Sequence, residues 1–164
     1  MIDLSLYRPC VGIMLINNSG KVWIGKRFGD KTPVDDAFAW QMPQGGIDEG
    51  EDAQAAALRE LFEETSVRSV EILGQNSGWF SYDFPPEVQF NSKRGRYKGQ
   101  KQRWFAMRFT GADSEINILT PPDGHAQEFS EWRWVDADEV PKLIVPFKRE
   151  VYQQVIAAFS QHTA

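Results

Sequence analysis

Residues 45–67 read GGIDEGEDAQAAALRELFEETSV, and the spacing inside this stretch decides how the chain is read. Gly45 and Gly46 open it, Glu51 follows, and Arg59, Glu60, Glu63 and Glu64 close it. Side chains at i, i+3 and i+4 share one face of a helix, so a helix from about Asp52 to Thr65 would stack three carboxylates together. Solvated like charges at that spacing repel by roughly a few tenths of a kcal/mol per pair. Leu58, Leu61, Phe62 and Thr65 fall opposite the glutamates and are expected to be the core face. A merely solvated acidic face would interleave lysines for i,i+4 pairs, and between residues 48 and 64 only Arg59 is basic. The usual use of such concentrated negative charge is a hard divalent cation.

Outward from this helix, residues 10–17, CVGIMLIN, read as a buried strand. The turn signal NNSG at 17–20 and the alternating KVWIGKRF after it predict a hairpin over 10–28. Residues 29–36 read as a polar loop, and 39–43 as a short strand leading into a turn at Gly45 and Gly46. Residues 68–84 hold one or two strands, 102–109 another, and 115–119 a further short one. A loop over 120–128 precedes a strand at 129–135 that carries Trp132 and Trp134 on one side. Phe147, Val151, Val155 and Phe159 recur every four residues and predict a final helix starting near Phe147. Strands and helices interleave, so the class is α/β or α+β, with residues 1–164 forming one domain.

The composition, 41% hydrophobic with 25% charged residues, suits a soluble globular protein. A lone cysteine, Cys10, excludes an internal disulfide and points to a reducing cytoplasm. Cys10 lies in the apolar run CVGIMLI and reads as packing. No stretch approaches the roughly 18 apolar residues of a membrane span, and MIDLSLYRP lacks the apolar core of a signal peptide. No membrane association is expected. A net charge of −5 argues against a general nucleic-acid coat protein. The charge is uneven, however: Lys93, Arg94, Arg96, Lys98, Lys101 and Arg103 form a basic segment without an acid. An acidic pole with a basic segment fits a metal site beside a polyanion path; a solvated basic loop fits the segment equally.

Gly45, five residues, Glu51, seven residues and then Arg59-Glu60-Leu61-Phe62-Glu63-Glu64 match the Nudix box, here residues 45–67. YRPCVGI at 7–13, WQMPQGGID at 40–48, YKGQKQRWF at 97–105, and WRWV and PFKREVY near the end extend the likeness from Tyr7 to Phe159. The chain resembles the Nudix branch that contains bacterial RNA pyrophosphohydrolases and the similar diadenosine tetraphosphate hydrolases. The resemblance implies a Nudix fold, a mixed β-sheet sandwiched between α-helices, with the box as loop–helix–loop. It implies a metal-dependent pyrophosphohydrolase that removes pyrophosphate from 5′-triphosphorylated RNA, cleaves diadenosine tetra- and pentaphosphates, or does both. SYDFPPE at 81–87 looks more like the dinucleotide enzymes. The expected setting is mRNA decay in the cytoplasm, with phosphorylated RNA or a dinucleoside polyphosphate as partner and no obligate protein partner.

By the same resemblance, Glu60, Glu63, Glu64 and the Gly45 carbonyl would bind Mg²⁺, with Mn²⁺ or Zn²⁺ as substitutes. Glu128, in the loop before Phe129, would be a further ligand or general base; an exposed loop acid is the other reading. Arg59, Glu63, Glu64 and Glu128 form the expected catalytic set. Metal ions neutralise charge that develops on a polyphosphate and acidify the attacking water, and carboxylate oxygens are the ligands Mg²⁺ prefers. Arg59, one turn before Glu63, would orient it or simply pair with it. Glu51 would support the metal or act as a favourable charge at the helix start. Arg8, Arg27, Tyr82, Val145, Phe147 and Lys148 match positions where this branch contacts the 5′ nucleotide or its phosphates. Guanidinium and ammonium groups suit phosphate oxygens. Phe147 would stack a base or pack the core. His125 reads as a surface histidine. Ser66 stands where the family usually has glycine, so an altered helix C-cap is expected there. A non-catalytic nucleotide- or RNA-binding Nudix module is the alternative. Such modules typically lose box glutamates, and all are present here.

Overall fold

Alternate side chains of the strand Tyr7–Ile16 (β1) are buried on both sides: Val11, Ile13 and Leu15 on one, Cys10, Met14 and Ile16 on the other. A strand covered on both faces is apolar at every position rather than at every second one, which is how CVGIMLI reads. The computed structural model describes residues 3–27, 36–86 and 97–163. Residues 28–35 and 87–96, which hold most of the expected polar loop and Lys93, Arg94 and Arg96 of the basic segment, lie outside that description, as does Glu87 of the SYDFPPE stretch.

The other strands are β2 (Val22–Arg27), β3 (Trp40–Gln41), β4 (Gln44–Gly46), β5 (Val70–Gln75), β6 (Phe80–Asp83), β7 (Gly99–Phe109) and β8 (Phe129–Val135). They form one mixed sheet along the path β3-β2-β1-β7-β5, with β4 paired to β1, β6 to β7 and β8 to β2. β1 and β7 run parallel from Tyr7 opposite Gly99 to Ile16 opposite Arg108. The remaining pairs are antiparallel. Helix α1 (Ala53–Thr65) packs on one face over Val11, Ile13, Leu15, Phe105 and Met107. The short α2 (Val140–Leu143) and α3 (Arg149–Ala158) pack on the other over Met14, Ile16 and Trp104. This is the expected mixed sheet between helices. Among the described residues, no helix is long and apolar enough to cross a membrane.

Four local expectations are corrected. β1 and β2 are antiparallel neighbours across the turn at 17–20, as the hairpin requires, but their register is limited to Ile16 opposite Val22, because β4 takes the same edge of β1 at Cys10 to Gly12. Gly45 and Gly46 are not a turn but strand residues, opposite Val11 and Cys10. Residues 115–119 are not a strand. The Asn117 side chain accepts the amides of Leu119 and Thr120, a local bonding that competes with a ladder, and Glu115 accepts the distant amides of Arg68 and Ser69. Finally, the buried face of α1 is Ala56, Ala57, Leu61, Glu64 and Thr65. Leu58 is exposed, and Phe62 lies half-buried with the Arg68 guanidinium 3.9 Å above its ring. The helix rests on its small alanines, and that rotation carries Glu64 inward.

The ends of α1 follow from particular residues. Asp52 caps the N-terminus by accepting the Ala55 amide at 3.1 Å. Ser66 forms the C-cap in the left-handed region at φ 67°, its amide bonded to the Phe62 carbonyl and its hydroxyl donating to the Asn117 carbonyl at 3.0 Å. A Cβ in that region costs about 1 kcal/mol. Ser66→Gly should therefore raise the urea midpoint, and Ser66→Ala, which keeps the strain and loses the hydroxyl bond, should lower it. A midpoint for Ser66→Gly below that of the parent chain would contradict this account of the cap.

Candidate active site

β4 is short, and the pleat points its two glycines to opposite faces. A Cβ at Gly45 would collide with the Glu60 carboxylate arriving from α1. A Cβ at Gly46 would lie 2.5 Å from an Arg8 guanidinium nitrogen on the far face. Glycine at both positions therefore lets an acid and a base approach one strand from its two sides.

Arg59 organises the acidic side. Its Nε and Nη2 hold both oxygens of Glu51 at 2.8 and 2.9 Å, a bidentate pair. Nη2 also donates to the Gly46 carbonyl at 2.9 Å. Nη1 reaches Glu60 at 3.0 Å and Glu63 at 3.2 Å. Arg59 thus orients Glu63 and pairs with it at once. Glu51, whose sequence reading lay between the metal and the helix dipole, is bound to Arg59 and accepts the Asp48 amide at 2.9 Å. The guanidinium holds the Glu51 carboxyl below the usual glutamate range, and the carboxylates in turn hold Arg59 charged far above its ordinary value.

Glu64 is 9% exposed, and its buried Oε2 has no hydrogen-bond partner among the described residues. Burial first, and then the charges of Glu128 and Glu60, push it well above its ordinary value, while the Gln44 amide partly opposes this. Burial likewise raises Glu60, against the pull of Arg59. Glu128 is exposed, but its charge reaches Glu64. His125 is exposed, as expected, with Nε2 3.4 Å from Glu63. Among the described residues, no three His, Cys, Asp or Glu side chains form a preassembled metal cage; Arg59 stands between Glu60 and Glu63. The donor set nevertheless fits a hard cation. A buried carboxylate oxygen without a partner calls for a hydrogen-bond donor, a proton or a cation, and oxygen donors are what Mg²⁺-like ions take.

The opposite face gathers most of the expected substrate-contacting side chains. Tyr82 and Phe147 have ring centroids 5.7 Å apart. Lys148 is 6% exposed, with its ammonium 5.7 Å from the Tyr82 centroid and 6.0 Å from that of Phe147. Val145 and Phe147 both pack against the core, so Phe147 meets the packing reading and remains half-buried. Arg8 and Tyr82 lie opposite Gln100 from its two neighbouring strands. Arg27 ends β2 opposite Phe129, the residue after Glu128, and its charge reaches Tyr152, which packs in the same core cluster as Tyr82.

A buried amide network escaped the sequence reading. Trp104 Nε1 donates to Gln102 Oε1 at 3.0 Å, and Gln102 Nε2 donates to Gln44 at 3.0 Å and Gln100 at 3.1 Å. The available signal was GQKQRWF itself, which places two glutamines and a tryptophan on one strand face at period two.

Residues 6–155 match the model of the NUDIX domain. An RNA pyrophosphohydrolase of Rhodopseudomonas palustris is 57% identical over 158 residues, covering 96% of this chain and 94% of that one. One of Bradyrhizobium diazoefficiens is 57% identical over 94% of this chain and 92% of its own length. Among solved structures, the E. coli dihydroneopterin triphosphate pyrophosphohydrolase superposes with a TM-score of 0.67 at 18% identity, covering 93% of this chain and 99% of that one. A C. elegans Ap4A hydrolase gives 0.61 at 13% identity, covering 93% and 98%. These two share the fold.

Glu51→Gln should loosen Arg59 and destabilise the fold by about 1 kcal/mol at neutral pH, the range of a part-buried charged hydrogen bond. Because the folded-state value of Glu51 is depressed, this contribution is present above the ordinary glutamate range and is lost as pH falls through the folded value. Denaturation of both chains from pH 7 into acid should show the difference closing; a gap that widens in acid would refute the assignment.

Proposed function

This chain belongs to the Nudix family, and from that premise we propose that it removes pyrophosphate from 5′-triphosphorylated RNA, with diadenosine tetra- and pentaphosphates as further substrates. It is a Nudix pyrophosphohydrolase, and Nudix hydrolases generally use divalent metals. RNA stands first because relatives 53–57% identical over most of the chain carry the name RNA pyrophosphohydrolase. The likeness to an Ap4A hydrolase, at 13% identity, concerns the fold. A place in cytoplasmic mRNA decay accords with that substrate.

The single observation that carries the reading is the buried, unpartnered oxygen of Glu64 beside an Arg59-ordered Glu60 and Glu63. Glu60, Glu63, Glu64 and the Gly45 carbonyl would hold Mg²⁺, with Mn²⁺ or Zn²⁺ as substitutes. Bound there, the ion would neutralise charge on the phosphates and acidify the attacking water. Arg59 aims Glu60 and Glu63 toward one another across its guanidinium. Glu128, exposed yet close enough to influence Glu64, would serve as the general base toward the attacking water. Arg8 and Lys148 neutralise phosphate oxygens from the other side of β4, and Arg27 adds a cation at the Glu128 end. Tyr82 and Phe147 offer aromatic surface, and Val145 an apolar wall, to the 5′ nucleotide. The low-dielectric setting around Glu64 strengthens each of these charges relative to water.

Glu64→Gln is nearly isosteric and should cut pyrophosphate release by at least about 10²-fold, while circular dichroism and Tm stay at or above the parent values. Full activity with Mg²⁺ would remove Glu64 from the metal site. Glu128→Ala should lower kcat by about 10²-fold or more; an unchanged rate across pH would exclude it as the base. A side-by-side kcat/KM measurement on 5′-triphosphorylated RNA and diadenosine tetraphosphate should favour the RNA, and a clear preference for the dinucleotide would reverse the ordering.

A further inference from the structure

An indole nitrogen donates a hydrogen bond and cannot accept one. The end of Gln102 that faces Trp104 Nε1 at 3.0 Å is therefore its carbonyl oxygen. Its amino group must then face the other way, where it meets Gln44 at 3.0 Å and Gln100 at 3.1 Å. Both of those partners must present their carbonyl oxygens to it. Their own amino groups consequently point away from Gln102. Reversing any one amide would set two carbonyls or two amino groups face to face in a buried place, where such a mismatch is costly; Gln102 is 1% and Gln100 3% exposed.

Trp104 cannot turn to relieve such a mismatch. Its ring occupies the space a Cβ at Gly12 would take, 2.5–2.6 Å away, and it meets Tyr152 edge-on with centroids 5.5 Å apart. Gln100 lies opposite Arg8 on one side and Tyr82 on the other. The sheet face that carries Arg8, Gln44 and Gln100, with Lys148 over Tyr82 beside them, is thus rich in groups that can donate. A nucleobase edge mixes donors and acceptors, whereas phosphate oxygens only accept.

We propose that Trp104 and Gln102 are positioning residues: they polarise Gln44 and Gln100 so that both offer amino donors to the phosphate oxygens of the substrate's 5′ end. This rests on the reading of the site as a pyrophosphohydrolase centre. Neither Trp104 nor Gln102 touches substrate; each acts through the two outer amides.

The test uses the full chain. With 5′-triphosphorylated RNA, Trp104→Phe should raise KM about tenfold or more, the scale of one hydrogen bond to a charged ligand, with kcat within about twofold. Gln102→Met, which breaks the ladder and leaves the tryptophan in place, should give the same split if Trp104→Phe fails to fold. In parallel, side-chain amide NMR signals of Gln44 and Gln100 should shift when inorganic tripolyphosphate is added to the parent chain, and this response should vanish in the variant. Unchanged KM in Gln102→Met, or a loss confined to kcat and thermal stability, overturns the proposal, as does a tripolyphosphate response retained in the variants. A parent chain that shows the NMR response but releases no pyrophosphate from RNA would count against the proposed function and leave the ladder standing.

Discussion

One guanidinium makes the acidic face of α1 possible. Glu60, Glu63 and Glu64 crowd the C-terminal half of a 13-residue helix, Glu51 reaches them from the loop before it, and three of the four are bonded to Arg59. Left to themselves these charges would repel and splay. The bidentate grip on Glu51 anchors Arg59 to the loop before the helix, and the bond to the Gly46 carbonyl anchors it to β4. Glu64 alone is left outside this network, and it is the one driven into the low-dielectric interior. A helix with its acids tied down and one buried acid unsatisfied is poised for a cation.

The pleat of β4 then sorts the chemistry. One glycine admits Glu60 from the α1 side; the next admits Arg8 from the α3 side. A strand separates successive side chains by face, so a single three-residue element keeps the acidic, metal-fitting groups apart from the cationic groups suited to phosphate. The cost of this arrangement is backbone without side chains, and β4 recovers stability by pairing along β1 and by the Arg59 bond to its carbonyl.

Much of this was legible from local spacing. The limits of α1 followed from Asp52 and from a periodic segment long enough to be unambiguous, and the likeness to the Nudix box rested on fixed intervals between charged residues. What failed depended on neighbours distant in sequence. Leu58 looks like core on a helical wheel, but α1 lies against the sheet on Ala56 and Ala57, which turns Leu58 out and Glu64 in. CVGIMLI and KVWIGKRF do turn back on each other, but the ladder between them is short, because β4, about 30 residues later, takes the rest of that edge of β1. Residues 115–119 carry apolar side chains suited to a strand, but Asn117 takes the amides of Leu119 and Thr120, and Glu115 is tied to the amides of Arg68 and Ser69 from another part of the chain.

The sequence by itself determined the helix, its acidic cluster, the glycines that precede it and the family likeness, because each is a matter of spacing along one segment. Only the tertiary structure decided which glutamate is buried, which cation holds the others, and which way the amides of Gln102, Gln100 and Gln44 must point. Those outcomes depend on what packs against each group from another part of the chain. Burial and hydrogen-bond polarity are properties of an environment, and no single segment carries its environment with it.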